Sequence, residues 1–149
     1  MTGEREWSKY YEDIKEQTMT FPGEYVTRMF KGKYPNCDLE KLVGGYDGKK
    51  ILNLSCGDGR DMVMLNQLGF KEIVGTEIDD DTVLFLTQRL KKMGIPATIK
   101  VGLNDSLPFE DDYFDMLLSW NVCYYFGKEN YNFCSHVKEY GRVLRKGGY

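Results

Sequence analysis

The sequence predicts an α/β fold in which a parallel sheet carries helices on both faces, and three observations support this. From residue 50 onward, short apolar runs of strand length alternate with longer segments whose apolar residues repeat at helical spacing. Turn-forming residues, mainly glycine, separate the two kinds of segment. Strands that alternate with helices usually pair in parallel, because each helix returns the chain across a face of the sheet.

The composition excludes several classes of protein. A chain of 149 residues is long enough for one domain with a core. Its formal net charge is -3, so it has no basic excess for binding nucleic acid. No apolar run approaches the roughly 20 residues that span a membrane. The charged N-terminal sequence lacks the apolar stretch of a signal peptide, and the 4 cysteines form no CxxC pair. We therefore expect a cytoplasmic protein with reduced cysteines, no metal site and neither nucleic acid nor membrane as partner.

The first predicted unit is a strand, a helix and a second strand. The run "KILNLS" at residues 50–55 is short and apolar, as a buried strand is. The segment "GRDMVMLNQLG" at residues 59–69 has apolar residues at helical spacing, with Gly69 as a plausible end of the helix. The run "EIVGTEI" at residues 72–78 predicts the second strand.

The pattern continues toward residue 149 with one interruption. Residues 79–94 begin with acids and end with basic residues and glycine, as a helix does. Residues 97–102 predict a third strand, and residues 113–122 contain a fourth. Residues 130–148 predict a last helix that two glycines stop. The expected order from residue 50 is therefore β-α-β-α-β-β-α.

The carboxyl ends of the four predicted strands form the candidate binding crevice. Ligands of open parallel sheets bind beyond these ends, where the strand order reverses. Polar or glycine residues follow each end, so we expect the four loops to converge. The strand ends are Ser55, Glu77, Gly102 and Ser119.

The loop "SCGDG" at residues 55–59 narrows the choice of ligand. A phosphate-binding P-loop requires a lysine, and none follows Gly59. A nicotinamide dinucleotide motif requires a third glycine where this chain has Met62. Glu77 lies 20 residues after Gly57, at the place where an acid accepts ribose hydroxyls. This favours an adenosine ligand, although the glycines could also serve only the turn.

Four segments together resemble the motifs of class I S-adenosylmethionine-dependent methyltransferases, in the family's order and spacing. That resemblance implies a Rossmann-like fold, S-adenosylmethionine as cofactor and methyl transfer to a small-molecule acceptor by direct displacement at the sulfonium methyl. The segments are "ILNLSCGDGRD", "IVGTEID", "VGLNDSLPFEDDYFDMLLSWNVCYY" and "VKEYGRVLRKGGY".

The resemblance implies that the first loop lines the methionine part of the cofactor. The backbone at Ser55, Cys56, Gly57 and Gly59 takes this role. The family usually has an acid where this chain has Asn53, whose amide oxygen can still accept a hydrogen bond from the cofactor's amino group. It usually has a glycine at the position of Ser55, so lower cofactor affinity is expected.

The later motifs imply contacts with the adenosine part. Glu77 accepts the ribose hydroxyls and Ile78 packs on the adenine. Asn104 and Asp105 meet the adenine edge. The family has an acid after the third-strand glycine, and this chain has Leu103 there. The adenine contacts are therefore the least supported part of the resemblance.

The end of the fourth strand is implied to approach the reacting atoms. Ser119 and Trp120 lie beside the methionine and the acceptor, although Trp120 could equally serve packing. No catalytic base can be named from the sequence. His136 is the single histidine, and a position on the surface of the last helix is expected for it.

The N-terminal residues fall outside the four motifs. We expect residues 1–47 to form a helical lid over a cofactor-binding core of residues 48–149. In this hypothesis Arg28 pairs with the methionine carboxylate and Tyr10 or Tyr11 closes the acceptor pocket. A plain surface helix is the alternative.

The chain stops where the family begins its fifth strand. The interpretation is that the later strands are missing and that the exposed fourth strand could support self-association. A module that binds the cofactor without catalysis remains an alternative to the methyltransferase, as does, with less support, a nicotinamide-dependent oxidoreductase.

Overall fold

The computed structural model describes residues 3–17, 20–33, 38–122 and 133–149. Helices and strands follow one another in the predicted order from residue 50 onward. The helices are α1 (Gly3–Ile14), α2 (Glu24–Lys31), α3 (Leu39–Leu42), α4 (Arg60–Gln67), α5 (Asp80–Lys92) and α6 (Phe133–Val143). The strands are β1 (Lys50–Asn53), β2 (Glu72–Glu77), β3 (Ala97–Val101) and β4 (Met116–Leu118).

The four strands form one parallel sheet in the order β3-β2-β1-β4. The strand order reverses between β1 and β4, because the chain adds β2 and β3 on one side of β1 and then returns to the other. Asn53 at the end of β1 therefore lies between Gly75 of β2 and Leu118 of β4. Ligands of open parallel sheets bind at such a point, which is where the sequence predicts the crevice.

Side chains alternate between the two faces of the sheet, and each face has its own core. Ile51 and Ile73 face the cluster that contains Met62 of α4 and Leu86 of α5. Leu52 and Val74, one residue further along each strand, belong to the opposite cluster, which Val143 of α6 completes. The prediction of an α/β fold with helices on both faces of a parallel sheet is confirmed.

Helix α5 begins at a capping residue, and helix α6 ends earlier than predicted. Asp79 caps α5 by accepting a hydrogen bond of 2.7 Å from the backbone N–H of Thr82. The last helix ends at Val143, not at the glycines near residue 147. It stops early because Leu144 pairs with Phe114 and the Arg145 N–H donates to the Phe114 carbonyl, so the chain already runs along the sheet there.

The segment before the sheet packs into the same core as the strands. Val26 and Phe30 of α2 are buried with Met62. The Tyr46 hydroxyl donates to the Phe30 carbonyl at 2.8 Å, and its ring stacks on Phe70 with centroids 5.3 Å apart. The sequence indicated α1 and α2 only weakly and did not indicate the four-residue α3. The division into residues 1–47 and 48–149 stays a prediction.

The outer edge of β4 is partly paired within the chain. The Leu117 N–H donates to the Tyr149 carbonyl at 2.8 Å, and the Tyr149 N–H donates to the Asp115 carbonyl at 3.1 Å. This is the pattern of a parallel neighbour, so Tyr149 extends the sheet beyond β4. Self-association through this edge stays a prediction. In the part of the chain that the structure describes, no helix is both long and apolar enough to cross a membrane.

Candidate functional site

The loop between β1 and α4 turns through backbone conformations that favour glycine. Gly57 has a φ of 60° and Gly59 a φ of 77°. A Cβ atom on Gly59 would lie 2.7 Å from Cδ1 of Leu86 and 3.0 Å from Cδ2 of Leu90, so this glycine lets the loop press on α5. A Cβ atom on Gly57 would have no neighbour within 4 Å. The two glycines therefore have different roles. Gly59 allows close packing on α5, and Gly57 borders open space.

Glu77 lies directly beside this loop. Its carboxylate accepts a hydrogen bond of 2.5 Å from the backbone N–H of Gly57. Burial raises the pKa of Glu77 to about 7, and the backbone hydrogen bonds from Gly57 and Ile78 oppose that rise. The acid and the glycine loop, 20 residues apart in sequence, thus form one site. The Glu77 carboxyl in it has a pKa near neutral pH.

Cys56 packs against Gly75 of β2, a residue that the motifs did not mark as part of the site. Its buried thiol donates to the Thr76 carbonyl at 3.5 Å, and burial raises its pKa well above the usual value. A Cβ atom on Gly75 would lie 2.5 Å from the Cys56 sulfur, so only glycine fits there. A glycine inside an apolar strand is a known signal of close approach, and it could have identified Gly75.

Asn53 and Ser55 occupy the positions where this chain departs from the family pattern. Asn53 is buried at the end of β1. Ser55 has a φ of 45°, a left-handed conformation that costs a residue with a Cβ atom about 1 kcal/mol or more. Its N–H donates to Oγ1 of Thr76 at 3.3 Å. The backbone here has the conformation that glycine would adopt without strain.

The residues predicted to meet adenine take different positions. Ile78 is 59% exposed beside the crevice, and Leu103 and Asp105 are also exposed. Asn104 is buried and donates to the Val122 carbonyl at 3.4 Å, which links the loops after β3 and β4. Its Oδ1 atom has no hydrogen-bond partner among the described residues. A buried acceptor without a donor is costly unless a ligand supplies one.

The end of β4 contacts the N-terminal segment. Ser119 is half-buried there. The Trp120 ring packs against Tyr25 of α2 with centroids 5.3 Å apart. Its Nε1 lies 3.8 Å from the position that a Cβ atom on Gly23 would take. Cys123 and the two tyrosines that end the third family-like segment, Tyr124 and Tyr125, lie outside the described residues, as does Cys37.

The two N-terminal tyrosines reach the site from α1. The Tyr10 hydroxyl donates to Oδ2 of Asp58 at 3.1 Å and accepts from Nη2 of Arg60 at 2.7 Å. The Tyr11 ring lies 5.1 Å from that of Phe85 on α5. Burial raises the pKa of Tyr11, and the negative charge of Glu77 raises it further. Helix α1 therefore covers the glycine loop and approaches Glu77.

Arg28 and His136 differ in exposure. Arg28 has a side chain that is 61% exposed, and its Nε lies 3.6 Å from Oε1 of Glu24 on the same helix. Pairing of Arg28 with a cofactor carboxylate stays a prediction. The expectation that His136 lies on a helix surface is wrong, because it is buried, on the same face of α6 as Tyr140, with ring centroids 6.1 Å apart.

Some residues of the site were not assigned a role from the sequence. Asp58 and Arg60 pair at 2.8 Å within the loop, and Asp61 accepts from the Gly23 N–H at 2.7 Å. Arg89 of α5 is 3% exposed and donates to the Asp58 carbonyl at 3.2 Å. Arg89 is three residues after Leu86, on the buried stripe of the helix, and this spacing was the available signal.

A cavity of about 720 Å³ lies beside this polar cluster, between α1, the loop and α5. Its wall includes Tyr10, Asp58, Arg60 and Arg89 but not Glu77. This cavity is therefore not the predicted ribose site beside Glu77. Among the described residues, no group of acidic, histidine and cysteine side chains is arranged to hold a metal ion.

The fold and this loop define a class of protein that comparison with known families identifies. The family model named "Methyltransferase domain" matches residues 51–148, and the chain belongs to that family. No curated protein matches the chain.

Several solved structures share the fold. The PH0226 protein from Pyrococcus horikoshii OT3 is 27% identical with a TM-score of 0.63; the match covers 94% of this chain and 62% of that one. A proposed S-adenosylmethionine-dependent methyltransferase from Methanococcus maripaludis is 14% identical with a TM-score of 0.67, covering 97% and 60%. The YcgJ protein from Bacillus subtilis is 21% identical with a TM-score of 0.62, covering 72% and 44%. The chain thus spans 44% to 62% of the length of these structures.

Proposed function

We propose that this chain binds S-adenosylmethionine and that the protein transfers the cofactor's methyl group to a small-molecule acceptor. One observation carries the proposal: the Glu77 carboxylate lies 2.5 Å from the Gly57 N–H, at the point where the strand order reverses. An acid fixed beside a glycine loop can accept two ribose hydroxyls while the loop backbone approaches the rest of the ligand. The family match over residues 51–148 supports the same cofactor.

The described residues fit this cofactor. The Oδ1 atom of Asn104 needs a donor, and the exocyclic amino group of adenine is one. The exposed side chain of Ile78 offers an apolar surface for the adenine face. The open space beside Gly57 leaves room for the methionine part, and the cofactor's amino group could donate a hydrogen bond to the amide oxygen of the buried Asn53.

The chemistry requires alignment more than acid or base catalysis. The bound cofactor supplies a methyl group that its sulfonium already activates. The chain's task is to hold the acceptor in line with that carbon, a proximity effect that supplies several kcal/mol. Trp120 and Tyr25 place aromatic surface at the end of β4, where they would exclude water from an acceptor. No residue is assigned as a general base.

Calorimetry with S-adenosylhomocysteine tests the binding step. We expect the intact chain to bind it and Glu77→Ala to lose at least tenfold in affinity, because the ribose hydroxyls lose a charged acceptor. Glu72→Ala is the matched control, since Glu72 is at the other end of β2 and hydrogen-bonds Tyr113. Failure of the intact chain to bind S-adenosylhomocysteine would contradict the proposal. Transfer of labelled methyl groups to a library of small molecules tests the second step.

The alternatives differ in support. Ser55, with its strained backbone and added side chain, favours a module that binds the cofactor weakly and does not catalyse. Binding without transfer to any acceptor would identify that case. For a nicotinamide oxidoreductase, the third glycine is replaced by Met62, which is fully buried in the core between α4 and the sheet. This argues against that motif. A small-molecule acceptor and a cytosolic location stay predictions.

A further inference from the structure

We propose that Arg89 is a positioning residue that ties α1 to the glycine loop and so couples docking of α1 to cofactor binding. This inference rests on the proposed function, because it describes how the loop beside Glu77 is held for its ligand. It assigns a role to a buried side chain that lies on α5 and not in any of the four motifs.

The Arg89 guanidinium joins three backbone carbonyls from two separate parts of the chain. Its Nε donates to the Asp58 carbonyl in the loop at 3.2 Å. Its Nη1 donates to the Ile14 carbonyl at 2.7 Å and also to the Gln17 carbonyl. Ile14 is the last residue of α1, and its carbonyl also accepts from the Gln17 N–H at 2.9 Å. The carbonyl end of a helix carries partial negative charge, which favours a cation there. Arg89 therefore caps α1 and holds the loop with one planar group.

A second set of contacts reaches the same loop residue from α1. The Asp58 carboxylate accepts from the Tyr10 hydroxyl at 3.1 Å and from Nε of Arg60 at 2.8 Å. The Arg60 Nη2 in turn donates to the Tyr10 hydroxyl at 2.7 Å, so the three side chains form a closed hydrogen-bond network. Docking of α1 thus fixes both the carbonyl and the carboxylate of Asp58. The adjacent residue is Gly57, whose N–H meets Glu77.

The chemistry of arginine suits a reversible tie. A guanidinium has five donors in a fixed plane, so it can reach three carbonyls where a lysine ammonium could not keep the same geometry. Among the described residues, Arg89 forms no ion pair, and carbonyls alone only partly offset the cost of burying its charge. The docked state is therefore not held by a strong pair. A ligand that fixes the loop can shift the balance toward it.

Hydrogen exchange measured by mass spectrometry on the full chain tests the tie. In the ligand-free protein, we expect amides of residues 9–17 to exchange at least tenfold faster in Arg89→Met than in the wild type. S-adenosylhomocysteine should slow exchange in these residues of the wild type but not of the variant, and the variant should bind it at least fivefold more weakly. Lys92→Met is the matched control, because Lys92 of α5 pairs with Glu16, two residues after the end of α1, and among the described residues it has no hydrogen bond or ion pair with the loop.

Equal exchange and equal affinity in Arg89→Met and Lys92→Met would overturn the proposal. If Arg89→Met fails to fold, as circular dichroism would show, Arg89→Lys carries the test, because it keeps the buried charge but loses the planar donors that join the three carbonyls. We expect the same loss of ligand-induced protection in Arg89→Lys, and unchanged protection there would also overturn the proposal. Absence of S-adenosylhomocysteine binding by the wild type would refute the proposed function instead, while exchange in the ligand-free proteins would still decide whether Arg89 holds α1.

Discussion

The carboxylate of Glu77 and the backbone N–H of Gly57 form a hydrogen bond of 2.5 Å in a buried setting. Burial makes the charged carboxylate costly and raises its pKa to about 7, while the N–H favours the charged form. The same residue is the proposed acceptor of the ribose hydroxyls. Its proton therefore links ligand binding to pH within the neutral range.

The affinity for S-adenosylhomocysteine should rise with pH and level off above about pH 7. Hydroxyl donors favour the ionised carboxylate, so binding below the pKa releases one proton, and the limiting slope is about tenfold in affinity per pH unit. Calorimetry from pH 5.5 to 8.5 measures this dependence. Glu77→Gln should bind weakly with a flat profile over the same range. If the affinity of the wild type did not change with pH, Glu77 would not be the ribose acceptor.

The same pKa predicts how Glu77 affects stability. The folded state raises the pKa from 4.5 to about 7, so between these values the folded protein binds more protons than the unfolded chain. The free energy of unfolding contributed by this group therefore falls as the pH rises through that window and is constant above it. Urea unfolding at pH 5 and pH 8 should show a larger fall for the wild type than for Glu77→Gln. An identical fall in both proteins contradicts the shift.

Gly59→Ala should destabilise the protein by about 2 to 4 kcal/mol. The new methyl group would overlap Leu86 and Leu90, and the backbone φ of 77° would be strained in addition. Gly94→Ala is the control for the backbone term alone, because Gly94 has a φ of 71° with no atom near its Cβ position. We expect it to cost about 1 kcal/mol. Thermal and urea unfolding measure both, and equal losses would mean that the loop does not press on α5.

Ser55→Gly should strengthen binding of S-adenosylhomocysteine by a few fold. Glycine relieves the strain at a φ of 45° and removes the side chain from the backbone that the ligand approaches. The free energy of unfolding should change by less than about 1 kcal/mol, because relief of strain is offset by the greater freedom of glycine in the unfolded chain. Asp112→Gly, at a φ of 56° before β4, should leave affinity unchanged. Weaker binding by Ser55→Gly would show that the serine side chain contributes to the site.

Asn104→Ala should lose about fivefold or more in affinity while costing little stability. It removes one long hydrogen bond to the Val122 carbonyl and an Oδ1 atom that has no partner among the described residues. The wild type should bind S-adenosylhomocysteine better than its deaminated analogue S-inosylhomocysteine, and the variant should not distinguish them. Asp105→Ala, at the exposed neighbouring residue, should have the smaller effect. Retained discrimination in Asn104→Ala would place the adenine elsewhere.

The sheet was predictable because its signals are local. Apolar runs and the turns between them gave all four strands and the three helices that connect and follow them, and they implied the parallel order. The end of α6 was misplaced because pairing between Leu144 and Phe114, a tertiary contact, stops that helix before its glycines do. The short α3 depends on the Asp38 cap and on packing, and four residues carry too little periodicity to be recognised.

The candidate site was predictable where residues follow the motifs and not where it depends on contacts between distant segments. Gly57 and Glu77 meet as their spacing indicated. Arg89 was missed because "TQRLKK" has the composition of the basic end of a surface helix, although its spacing from Leu86 places it on the buried stripe, where it meets the Ile14 carbonyl. His136 was also misjudged, because a single histidine among polar residues of a helix gives no sign that it faces inward.

The burial of Cys56 makes the protein its own reporter of loop motion. A buried thiol with a raised pKa reacts slowly with alkylating reagents, and Cys56 is such a thiol. Cys134 is exposed, so burial does not slow its reaction. Because Cys56 is the residue just before Gly57, its labelling rate, followed at its own peptide by mass spectrometry, measures how often the loop lifts from β2. Ligands that occupy the crevice can thus be ranked by the protection they confer on a native side chain, without any label being engineered into the chain.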